Sequence, residues 1–130
     1  MDTGPNFKDF LFGMMGNYSK NTKLIISGST DVDWLKISPL SKKTLFKVLQ
    51  ELMINMQKHS NANLVSFAFE QTKKTLKVIY ADDGAGASSE ELNLKNGLWN
   101  TEKRIKAIGG TIIFDSEKGR GFETQIEIPN

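Results

Sequence analysis

Glu51, Asn55 and Lys58 are three polar residues spaced four and three apart on one predicted helix. At about 100° per residue they share the flank of that helix's apolar stripe, along the rim of the core it would help to build. Together they can serve a hydrated cation and a polyphosphate. Asn offers a hard oxygen to Mg²⁺, an ion that keeps several waters and takes few protein ligands. Lys offers charge to phosphate, and Glu can orient or deprotonate a group. The same triplet also suits an ordinary solvated helix face. Further along, Asp82-Asp83-Gly84-Ala85-Gly86 follows a predicted strand. Asp-Gly is an ordinary turn signal in that position, yet glycines also let a backbone approach a flat ligand closely. A buried carboxylate beside them can accept from an exocyclic amine, a combination suited to adenine. Asn96-Gly97-Leu98 enters a predicted helix, whose free amides and dipole favour phosphate, although a loop entering a helix needs no ligand. Gly109-Gly110 makes a helix stop and Gly119-Arg120-Gly121 a hairpin turn. Neither a Walker loop nor a dinucleotide fingerprint is present.

The elements that must position these residues read as a short alternation of helical and strand periods. Phe7, Phe10, Leu11, Met14, Met15 and Tyr18 recur at helical spacing after Asn6, predicting a helix that ends near Asn21. Lys23 to Ser27 is a brief strand. Leu45, Val48, Leu49, Leu52 and Met56 form the stripe of a long amphipathic helix from about Leu40 to Ser60. Leu64 to Glu70 and Leu76 to Ala81 are β-prone runs that suit a hairpin. A polar loop from Asp82 to Asn96, a helix from Leu98 to Ile108, and strands Thr111 to Asp115 and Phe122 to Ile128 complete the chain. That order predicts an α+β fold, with an antiparallel or mixed sheet and helices on one face.

The whole-chain properties narrow the class. At 130 residues, the chain is one domain by the usual size prior. It has no cysteine, which excludes disulfides, thiolate metal sites and a cysteine nucleophile, and fits a reducing compartment. Seventeen basic and fifteen acidic residues leave a net charge of +2, so nucleic acid is not an expected partner. No apolar run approaches a membrane span, and no signal peptide is evident.

Taken in order, E-L-x-x-N-x-x-K-H from Glu51 to His59, D-D-G-A-G from Asp82 to Gly86, N-G-L-x-N-x-x-x-R from Asn96 to Arg104, then I-G-G, then G-R-G before I-E-I-P, closely resemble one family's signature. They are similar to the N box and glycine boxes of the ATP-binding domain of bacterial sensor histidine kinases. That family lies in the ATPase superfamily shared with gyrase, the mismatch-repair ATPases and the heat-shock chaperone. The resemblance covers about residues 40–130. It implies a two-layer α/β sandwich of the Bergerat type, a mixed sheet with about three helices on one face, and Mg²⁺ and ATP as cofactors. Carried over by position, it implies that Asn55 coordinates Mg²⁺, that Lys58 faces phosphate and that Glu51 is a candidate base or polarising carboxylate. His59 belongs to the N box, where the family's histidine is not phosphorylated. The resemblance further implies that Asp82 accepts from the adenine amino group, that Gly84 and Gly86 floor the base pocket, that Gly97 and Leu98 close over the phosphates, and that His59 and Asn96 are also ATP-binding. Residues 87–96 would form the ATP lid. Lys95, Thr101 and Phe122 depart from the family pattern, which has glycine, methionine and threonine there.

His59 is the sole histidine of the chain, so the resemblance implies that the phosphoacceptor lies elsewhere, on a histidine-bearing dimerisation domain. Residues 1–22 would then be a connecting helix from that domain and residues 23–130 the catalytic domain. A response regulator downstream, a monomeric fragment and a cytoplasmic location, with a parent anchored in the inner membrane, are the matching expectations. Two other readings keep the same boxes: a non-catalytic nucleotide-binding or docking module, and a serine kinase of the anti-sigma type.

Overall fold

The computed structural model describes residues 3–60, 62–84, 98–116 and 121–130, with the side chains of His59, Ser60 and Ser116 left aside. The first helix, α1 (Phe7–Tyr18), buries Phe7, Leu11, Met14 and Met15. It stops short of the Asn21 expected from sequence. The Ser19 hydroxyl donates back to the Met15 carbonyl at 2.8 Å and so occupies one of the last helical acceptors. Asn6 stands at the N-cap without a side-chain capping bond.

After strand β1 (Lys23–Ser27), Gly28 turns the chain at φ 76°, where an added Cβ would run into the Phe69 carbonyl oxygen. Only glycine combines that backbone angle with that approach. Helix α2 (Pro39–Asn55) opens with Pro at its start, and the Ser38 side chain accepts from the Ser41 amide at 3.1 Å. It buries Leu45, Val48, Leu49, Leu52 and Met53. The expected single helix to Ser60 is instead α2 followed by one π turn, Met56–Ser60. A π turn adds a residue per turn, so side chains beyond Asn55 leave the 100° spacing assumed for a continuous helix.

Strands β2 (Leu64–Gln71) and β3 (Thr75–Asp82) form the expected hairpin. Helix α3 (Leu98–Ala107) and strands β4 (Thr111–Ser116) and β5 (Phe122–Pro129) follow. The five strands are ordered β1-β2-β3-β5-β4. β1 and β2 are parallel and all other neighbours antiparallel, so the sheet is mixed. A parallel pair cannot be closed by a tight turn, and α2 is the crossover between β1 and β2.

Burial alternates along β2 and β3, as expected of a sheet covered on one side. Val65, Phe67, Phe69, Leu76, Val78 and Tyr80 face inward with Ile126 and Ile128, against the apolar faces of the helices. On the other face, Ile25 and Ile113 remain exposed. The result is a two-layer α+β sandwich with three helices over a mixed sheet.

Candidate nucleotide site

The register of the sheet sets Asp82 at one end of the fold. Asp82 closes β3, opposite Val65 near the start of β2 and Phe122 at the start of β5. The chain leaves α2 through the π turn and enters β2 at this same end. Gly121 has φ 87°, and an added Cβ there would run into the Asp82 carbonyl oxygen. The glycine of the expected hairpin turn is therefore also a packing requirement of the Asp82 corner.

The paired aspartates divide their work. Asp83 is exposed, and its Oδ1 accepts from the Asn63 amide at 2.8 Å and the Leu64 amide at 2.9 Å. It ties the entry of β2 to the exit of β3. Asp82 points the other way, inward, and is 9 % exposed. Its Oδ1 accepts from the Gly84 amide at 2.9 Å and its Oδ2 from the Tyr80 hydroxyl at 2.6 Å. Burial raises the Asp82 pKa above the usual carboxylate range; the two hydrogen bonds pull it back, and the neighbouring Asp83 charge adds a smaller push upward. Burial also drives the Tyr80 phenol far above its ordinary value, reinforced by the Asp82 charge and the hydrogen bond to it. The shared proton stays on Tyr80, which is the donor.

Asn55 is the last residue of α2 and half-buried, and its amide nitrogen is buried with no partner among the described residues. Glu51, one turn earlier, is half-buried. Lys58 lies exposed in the π turn. His59 is in that turn too, and its side chain lies outside what is described. Gly84 is buried, and Leu98, the first residue of α3, is 1 % exposed. Gly86, Asn96 and Gly97, together with Lys95 and the expected lid, lie outside the described residues.

Phe122 stacks on Phe114 at 6.1 Å between centroids and meets Tyr80 edge-on at 5.9 Å, so this departure fills space beside Asp82 with an aromatic ring. Thr101 on α3 is fully buried, and its hydroxyl has no partner among the described residues; the same holds for Thr124 on β5. Buried polar groups are normally paired. Among the described residues, Trp34 Nε1 and Asn55 Nδ2 are likewise buried without a partner.

Sequence reasoning missed Tyr80 and Thr124. The signal for Tyr80 was present, since residues two apart on a strand share a face, and Asp82 was already singled out. Among the described residues, no three His, Asp or Glu gather into a metal cluster. An oxygen-seeking cation with few protein ligands fits Asn55 better than it would fit a closed cage. Two clefts of about 390 and 490 Å³ are described, and both run along α1 rather than between Asn55 and Asp82.

No family model matches the chain. Individual proteins do. The chain is 30% identical over 116 residues to an uncharacterized sensor-like histidine kinase of Chloroflexus aurantiacus, covering 84% of this chain and 19% of that protein. It is 29% identical over 130 residues to the sensor histidine kinase LnrJ of Bacillus subtilis, covering 97% of this chain and 31% of that protein. The chain thus spans about a third or less of these relatives. In structure it is similar to the histidine kinase domain of the blue-light-activated histidine kinase EL346 of Erythrobacter litoralis. The TM-score is 0.74 at 16% identity, covering 99% of this chain and 61% of that one, a likeness of fold. Over most of its length the chain is similar to sensor histidine kinases, and it shares the fold of a histidine kinase domain.

Proposed function

We propose that the chain binds Mg²⁺–ATP and is the catalytic, ATP-binding part of a sensor histidine kinase. The observation that carries the reading is the Asp82 carboxylate, buried at the end of β3 and fixed by two donors beside glycine backbone. Each of its oxygens retains acceptor capacity for an exocyclic amine. Asn55, at the end of α2, carries the hard amide oxygen that would hold Mg²⁺, with Glu51 one turn away. When bound, the cation neutralises charge on the phosphates. Lys58 and His59 in the π turn, with Leu98 at the start of α3, supply charge and cover at the phosphate end.

The γ-phosphoryl group goes to a histidine on a dimerisation domain, and from there to a response regulator. Residues 1–22 would connect to that domain and residues 23–130 would carry the nucleotide. A cytoplasmic location follows from this role. Among the described residues, no helix is long and apolar enough to cross a membrane.

Calorimetry with ATP and GTP tests the reading. GTP presents a carbonyl where ATP presents an amine, so it should bind more weakly by about 1 to 3 kcal/mol. Asp82→Ala should abolish that preference. Equal affinities in the native chain would contradict the assignment of Asp82.

A further inference from the structure

The inner face of the sheet is built in rows. Phe67, Tyr80, Thr124 and Phe114 stand side by side across β2, β3, β5 and β4, and the next row holds Val65, Asp82 and Phe122. Tyr80 is 0 % exposed. Its ring is held edge-on by Phe67 at 5.3 Å and by Phe122 at 5.9 Å. A phenol clamped on two sides cannot choose where its hydroxyl points, and this one reaches forward to Asp82 Oδ2 at 2.6 Å. With the Gly84 amide on Oδ1, both carboxylate oxygens are fixed by donors on rigid elements, which sets the plane of the carboxylate as well as its position.

Buried phenols normally find some partner, but a backbone carbonyl would satisfy one equally well. Here the hydroxyl is joined to the one buried carboxylate of the candidate site, by a short bond of the charge-assisted kind. We propose that Tyr80 is a positioning residue for base recognition: its hydroxyl holds the Asp82 carboxylate in the orientation that accepts the purine 6-amino group. This rests on the reading of Asp82 given above. The hydroxyl does not touch the nucleotide. It removes the rotational freedom that Asp82 would otherwise lose on binding, and preorganisation of that kind appears as affinity.

The test is Tyr80→Phe, which keeps the ring between Phe67 and Phe122 and deletes only the donor. Binding is compared for ATP and for purine riboside triphosphate, which has hydrogen in place of the 6-amino group. The native chain should prefer ATP. The variant should lose roughly fivefold in affinity for ATP and almost none for the analogue. Unchanged ATP affinity, or an equal loss on both nucleotides, would show that the hydroxyl serves only the fold and would overturn the proposal. A native chain that fails to distinguish the two nucleotides would overturn the Asp82 reading itself, a result separable from the first two. An NMR measurement needs no variant: the Tyr80 hydroxyl proton, buried and hydrogen-bonded, should shift on adding ATP and stay put on adding the analogue. A proton indifferent to both nucleotides would contradict the proposal.

Discussion

At Asp82, desolvation outweighs the help of the Tyr80 hydroxyl and the Gly84 amide, so the folded state holds its proton to higher pH than the unfolded chain does. Between the ordinary carboxylate value of about 4 and that raised value, the folded state binds more protons. Stability from this group is therefore present at low pH and declines as pH rises through the window. Asp82→Asn removes the titration. Denaturant unfolding from pH 4 to 8 should show native stability falling relative to the variant across the window, then running parallel above it. Parallel behaviour throughout would contradict the shift. Asn55 presents a related trade: its buried amide nitrogen has no partner among the described residues, a cost that folding alone does not explain. Groups kept at such a cost are expected where function demands them.

Among the elements, strand register does most of the placing. The alternation of β3 puts Tyr80 and Asp82 on one face, and the pairing with β5 brings Phe122 beside them. The strands and helices were legible in the sequence because their periods are clear, as in the Leu45 to Met56 stripe, all of which is buried. The end of α2 was not legible. Met56 to Ser60 keeps a helical composition while winding as a π turn, and periodicity does not separate the two over five residues. The inward and outward division of Asp82 and Asp83 follows strand alternation; what was hidden is that Asp83 takes up the Asn63 and Leu64 amides. The glycine at 121 looked like turn chemistry alone. Because its φ is 87° and its Cβ position is blocked by the Asp82 carbonyl, Gly121→Ala should cost more than about 1 kcal/mol and depress nucleotide binding with it. Urea unfolding beside a binding isotherm checks this. A variant as stable as the native chain would show that the β3–β5 corner yields easily.

For the whole molecule, the sandwich supplies the sheet below and the end of α2 above, so the nucleotide of the proposed function would bridge two layers. The resemblance seen in the boxes and the sequence relatives point the same way, and the fold neighbours share the architecture. With one histidine, in the π turn after Asn55, the chain incubated alone with radiolabelled ATP and Mg²⁺ should acquire no acid-labile phosphate. Label on His59 would place the acceptor within this segment. The central claim is that Asn55 and Asp82 hold opposite ends of one nucleotide. NMR with Mn²⁺–ATP, in which paramagnetic broadening falls steeply with distance from the metal, tests it most directly. The account predicts that the Asn55 side-chain amide broadens first while the Gly84 amide, bonded to Asp82, shifts with little broadening. Equal broadening at both, or a response at neither, would contradict it.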